Sequence, residues 1–157
     1  MTQEEKDLVL KDLCARLTNG VICSIYREDD EGFGWRDAEC KGYFQTNHSY
    51  EFYFEDVIAV DNIENIKPYL RPMSSMTEEE YNEFKDLTLC GQCSNDYDSW
   101  GHWGVEVVSY KYDEWDKPFY DFSEFQNLQN WLNKKHLDYR GLIPMGLALE
   151  APEDMYN

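Results

Sequence analysis

Hydrophobic and polar residues follow two periods along this chain, and the switches between them mark out the elements. Near the amino terminus, Leu10, Leu13, Cys14 and Leu17 recur at helical spacing and predict a first helix with those residues facing inward. Thr2 and Glu5 predict a capping box, in which each side chain satisfies the other's orphan N–H. Asn19-Gly20 supplies a left-handed stop. Residues 21–27 are apolar and β-branched enough for a strand. The run Glu28-Asp29-Asp30-Glu31-Gly32 predicts a charged turn, and residues 35–44 return as a second strand. Tyr50, Phe52 and Phe54 then alternate with Glu51, Tyr53 and Glu55, the period of a half-buried strand. Residues 57–60 extend that strand after a bend or pair elsewhere. Short turns between consecutive strands favour an antiparallel meander.

Pro68 and Pro72 predict that residues 61–76 are irregular or contain one short helical turn. Thr77 and Glu80 form a second capping box, ahead of a helix with Tyr81, Phe84 and Leu87 on its apolar face. Residues 90–104 read as a loop and residues 105–112 as an alternating strand. Ser123 and Gln126 cap a third helix, with Phe125, Leu128 and Leu132 on one face and Trp131 at its border. Gly141, Pro144 and Gly146 interrupt an apolar end, which predicts a loop packed on the core. The element order α-β-β-β-α-β-α predicts one acidic α+β domain over residues 1–157, with an antiparallel sheet of four to five strands packed against three amphipathic helices.

Charge changes the functional picture more than the fold. The 157 residues carry 32 Asp and Glu against 14 Lys and Arg, a formal net charge of −18. With 12 Tyr, 8 Phe and 5 Trp, the chain is too aromatic for an acidic disordered tract. Residues 1–60 and 61–157 are both net acidic, so the charge belongs to the whole surface rather than to a tail. Such a surface disfavours direct nucleic-acid binding and anionic membranes, and favours basic partners. The carboxylates also suit mimicry of a phosphate array, in which the protein would occupy a basic groove. No apolar run is long enough to span a bilayer. The opening MTQEEKDLVL is acidic where a secretory leader is basic, and five cysteines cannot all pair, so reduced thiols in a cytoplasm are expected.

Candidate chemistry concentrates in the central loop. Cys90-x2-Cys93 followed by His102 has the soft ligands that zinc takes, and Cys14, Cys23, Cys40 and His48 are the candidates for a fourth. The cysteine pair is less suited to redox work, because neighbouring acids raise a thiol's pKa. Asp96, Asp98 and Gly101 resemble a calcium loop but put Trp100 and Val107 where oxygen ligands belong. No nucleophile elbow, HExxH, Walker A or GxGxxG occurs, and no nucleophile, base and orienting group assemble from sequence. Trp100 and Trp103 beside Asp96 and Asp98, and Trp115 beside Asp113 and Glu114, mix aromatics with acids as an interface would.

Three blocks add a context. KDLCARLTNGVIC (residues 11–23), IKPYLRPMSSMTEEEY (residues 66–81) and WLNKKHLDYRGLIPMGLALEAPEDMYN (residues 131–157) resemble segments of small uncharacterised proteins of gut anaerobic bacteria, their prophages and mobile elements. No activity is established for that group, so it supplies no catalytic residues. It implies a phage or mobile-element product in a bacterial host cytoplasm. Together these readings predict a non-enzymatic interaction protein that binds and modulates a basic host protein, such as a nucleic-acid-binding or defence protein, including by inhibition. A small zinc protein organised by Cys90, Cys93 and His102 is the first alternative, and an enzyme with an unrecognised site the second. The oligomeric state is not legible.

Overall fold

A computed structural model of the chain describes residues 1–29, 32–45, 50–55, 57–60, 62–87 and 122–156. Helix α1 (Gln3–Arg16) leads into strand β1 (Ile22–Asp29), and β2 (Gly32–Gln45), β3 (Tyr50–Phe54), β4 (Val57–Val60) and β5 (Ile66–Leu70) follow. Helices α2 (Glu78–Leu87) and α3 (Phe122–Lys134) come next, and the two-residue strand β6 (Leu149–Glu150) comes last. The strands form one sheet in the order β4-β3-β2-β1-β5-β6, antiparallel except where β6 joins β5. The α+β architecture matches the pattern-based expectation, with a mostly antiparallel sheet and three helices.

Both capping boxes form. Glu5 N–H donates to Thr2 Oγ1 at 3.2 Å and Thr2 N–H to Glu5 Oε2 at 2.6 Å. Glu80 N–H donates to Thr77 Oγ1 at 3.2 Å and Thr77 N–H to Glu80 Oε2 at 3.1 Å. Gly20, at φ 72°, closes the turn after α1 where a Cβ would be strained. Helix α3 starts at Phe122, so Ser123 lies inside the first turn rather than at the cap.

The face that α1 buries differs from the expected one. Val9, Asp12, Leu13 and Arg16 are the buried residues of α1, while Leu10 and Leu17 pack only partly against the core and Cys14 is half-buried. These four occupy i, i+3, i+4 and i+7, a proper helical stripe. Hydrophobicity alone misses it because two of its members are charged.

The segment with the prolines also departs from expectation. Residues 66–70 are strand β5, paired antiparallel with β1 from Ile25↔Ile66 to Cys23↔Pro68. β6 pairs with β5 only at Tyr69 and Leu70. Pro68 therefore precedes the parallel rungs, on a stretch of β5 whose second edge has no strand partner among the described residues. A residue without an N–H is tolerated there. At the other end, the β1–β2 ladder runs on to Asp29↔Gly32, so Glu28 and Asp29 belong to a strand rather than to a turn. Residues 57–60 form their own strand, turning back on β3 with Phe54 opposite Val57.

One face of the sheet is the core. Cys23, Ile25, Cys40, Phe52, Phe54, Ile66 and Leu70 pack there against Val9 and Leu13 of α1 and against Leu142, Leu147 and Ala148 of the carboxy-terminal segment. A second cluster joins α2 to α3 through Phe84, Leu128, Leu132 and Leu137. The apolar end of the chain packs on the core, as Gly141, Pro144 and Gly146 imply. The expected strand over residues 105–112 lies outside the described residues.

Candidate functional site

The pairing register decides what the second face of the sheet carries. Directly opposed residues of an antiparallel pair share a face. Ile25 and Cys23 face the core, so Tyr26↔Trp35 and Ser24↔Asp37 lie on the opposite side, with Phe33 two residues before Trp35 on β2. Ser24↔Lys67 extends that side to β5, where Tyr69 follows two residues on. Its hydroxyl donates to Asp37 Oδ1 at 3.2 Å across the intervening strand.

On the far side, a bulge between Cys40 and Gly42 resets β2. Tyr43 then faces Phe52 on the core side, while Phe44↔Glu51 and Gly42↔Tyr53 fall on the outer side. The outer face thus bears Tyr26, Phe33, Trp35, Phe44, Tyr53 and Tyr69, interspersed with Asp37, Glu39, Glu51 and the cation Lys67. Phe33 is 69% exposed, Phe44 59% and Trp35 46%. Isolated exposed apolar residues are ordinary, but rings of this size gathered on one sheet face are the mark of a binding surface.

Sequence patterning did not single out these residues. The signal was present in the spacing of Phe33, Trp35 and Asp37, which puts all three on one face. Alternation names two faces without saying which one the helix covers.

Beneath α1 lies a polar node that joins residues 12–16, 71–80 and 136–143. Arg16, fully buried, donates from Nε to Asp12 Oδ2 at 2.8 Å and from Nη2 to Asp12 Oδ1 at 3.0 Å. It also reaches the Leu137 carbonyl at 2.9 Å, which closes the turn after α3. Arg140 adds a second cation to Asp12 at 3.2 Å and lies over the Tyr139 ring at 4.4 Å. Asp138 accepts from the backbone N–H groups of Leu142 and Ile143 at 2.7 and 2.8 Å. Arg71 and Glu80 pair through two hydrogen bonds, and Arg71 holds the Glu80 carboxyl down at about 2.

His136 sits between these elements in the left-handed region, at φ 54°. Its Nε2 lies 3.0 Å from the Asn19 carbonyl, so Nε2 carries the proton. Nδ1 is buried without a partner. The Tyr156 ring stacks on it at 3.7 Å. Burial, reinforced by the Arg16 charge, lowers the imidazole to about 4, and it is neutral at pH 7. The Tyr156 hydroxyl donates to the Tyr69 carbonyl at 2.8 Å and accepts from Ile22 N–H at 3.1 Å. It stands beyond the last β1–β5 pair, Cys23↔Pro68, and bridges the two strands where their ladder stops. These groups are bound to backbone and to each other, and their work is to fasten the chain's end onto α1 and β5.

Three cysteines come together in the core without forming a ligand set. Burial raises the Cys23 thiol well above its ordinary value and the Cys40 thiol to about 11. Both are protonated at neutral pH, unlike an activated nucleophile. Among the described residues, no group of three or more His, Cys, Asp or Glu side chains is arranged to hold a metal ion. The sequence-predicted zinc ligands Cys90, Cys93 and His102 lie outside the described residues, as does His48. So do the expected partner-binding residues Asp96, Asp98, Trp100, Trp103, Asp113, Glu114 and Trp115. Among the described residues, no helix is long and apolar enough to cross a membrane. Comparison with protein-family models, curated proteins and solved structures gave no match to this chain.

Proposed function

We propose that the protein is a non-enzymatic interaction module that binds a basic macromolecular partner through the outer face of its sheet. The observation that carries this reading is the set of exposed rings on that face, Tyr26, Phe33, Trp35, Phe44 and Tyr53, lying among carboxylates on a chain of net charge −18. Aromatic side chains supply contact area with few rotors to immobilise, and the acidic field steers a basic partner toward them. The commitment of the buried ionic groups to one another and to backbone partners favours binding over catalysis. The rings separate this surface from a plain carboxylate array, so the partner offers apolar as well as basic side chains.

The resemblance of residues 11–23, 66–81 and 131–157 supplies the setting. It is a phage or mobile-element product in a bacterial cytoplasm, acting on a host nucleic-acid-binding or defence protein and modulating or inhibiting it. The test is capture from bacterial lysate on the immobilised chain at low and high salt. Basic proteins retained at low salt and released at high salt are expected. No protein above background at low salt overturns the reading.

A further inference from the structure

The outer face is not uniform, and its hairpin end has a defined chemistry. Tyr26 and Trp35 are direct cross-strand partners with ring centroids 5.5 Å apart, and Phe33 stacks beside Tyr26 at 6.4 Å. Asp37 continues the same row of β2. Tyr69 fixes the Asp37 carboxylate from β5. Exposed ring faces with carboxylates beside them suit a flat cation better than an aliphatic side chain. A guanidinium stacks on a ring while its edge donates to a carboxylate, and it gives up water more readily than an ammonium. The protein uses this pairing internally, where Arg140 lies over Tyr139 and donates to Asp12.

We propose that Tyr26, Phe33, Trp35 and Asp37 form a recognition site for arginine side chains of an extended segment in the partner. This rests on the reading of the outer face as a basic-partner surface and names what that surface recognises. Phe33, Trp35 and Asp37 recur every second residue along β2, a step of about 7 Å on one face of a strand. An extended segment lying along β2 presents its own alternate side chains at the same step. The arginines it offers are therefore spaced i, i+2. A second copy of this chain is a poor occupant, since each copy carries −18 and the two repel. Nucleic acid is repelled for the same reason.

The experiment measures binding of labelled ten-residue peptides to the full chain at about 0.15 M salt. The peptides are alternating Arg-Ser, alternating Lys-Ser and a peptide of the same arginine content in one contiguous block. Arg-Ser is expected to bind about fivefold tighter than Lys-Ser and tighter than the block. Phe33→Thr with Trp35→Thr is expected to weaken Arg-Ser about tenfold. Trp35→Phe, which keeps a ring, retains most of the binding. Glu78→Gln with Glu79→Gln, which removes two exposed charges elsewhere, leaves it within about twofold. Unfolding midpoints identify any variant that is not native, and the Arg-Ser to Lys-Ser ratio on the unmodified chain tests the site without a variant. Equal binding of Arg-Ser and Lys-Ser, or indifference to the loss of both rings, overturns the arginine site. If lysate capture of basic proteins persists in that case, the broader reading stands and only this site falls. Loss of capture as well removes both.

Discussion

Arg16 is the largest of the fully buried side chains among the described residues, and its charge is acceptable there only because every neighbour was arranged for it. Asp12 meets it with two hydrogen bonds, and the Leu137 carbonyl takes a third. Removing Arg16 takes two hydrogen bonds from the buried Asp12 carboxylate and leaves it with Arg140 alone. Arg16→Met is expected to destabilise the protein by about 3–5 kcal/mol, read by urea denaturation. Asp12→Leu combined with Arg16→Met should recover much of that loss, since no under-paired carboxylate is left buried.

His136 makes a second residue-scale prediction. Its folded pKa, about 4, lies below the ordinary 6.5, so the unfolded chain binds the proton more readily. The stability this group contributes is complete above pH 6.5 and is lost as pH falls toward 4. The loss is on the order of 2–3 kcal/mol. Glu80 adds a separate acid window, because its folded pKa of about 2 lies below its ordinary 4.5. Its contribution is present above pH 4.5 and is lost between there and pH 2. Denaturation curves at closely spaced pH values should resolve both windows. In His136→Asn, which keeps a residue tolerant of positive φ, the upper window should flatten.

At the scale of elements, the sheet and helices are joined by a few side chains that each serve two purposes. Glu80 caps α2 and clamps Arg71 at the end of β5. Glu80→Gln is expected to cost about 1–3 kcal/mol and to raise amide exchange in the first turn of α2, measured by hydrogen exchange. Tyr156 fastens the chain's end to β1 and β5 through one hydroxyl. Tyr156→Phe removes those bonds and keeps the stack on His136. A loss of about 1 kcal/mol is expected, with faster exchange at Ile22. The starts of α1 and α2 were legible in the sequence because a capping box is local, needing only Thr and Glu three residues apart. Strand β5 was not legible. Pro68 argues against a strand unless one edge of that strand is unpaired, and edge position depends on the whole sheet.

At the scale of the whole molecule, the surface repels itself. A net charge of −18 destabilises the compact state and is screened by salt. The unfolding midpoint should rise between about 0.01 M and 0.3 M sodium chloride, with most of the gain below about 0.15 M. A midpoint independent of salt would show that the carboxylates are already neutralised by local pairs. The same field gives the outer face its proposed preference for cations.

Local sequence determined the capped starts of α1 and α2, the alternating strands and the net acidity of the chain. These follow from neighbours a few residues apart and from a sum of charges. It left open which distant segments meet. Folding joins Asp12 and Arg16 to Leu137 and Arg140, and Arg71 to the backbone of His136 and Asp138. Tertiary structure alone decided that α1 buries a charged stripe, because beyond the Asp12–Arg16 pair itself the groups that satisfy those charges lie more than a hundred residues away. It also decided which side of the meander stays open. A strand presents two faces with equal right to the core, and only the placement of α1 left Phe33, Trp35 and Phe44 on the solvent side.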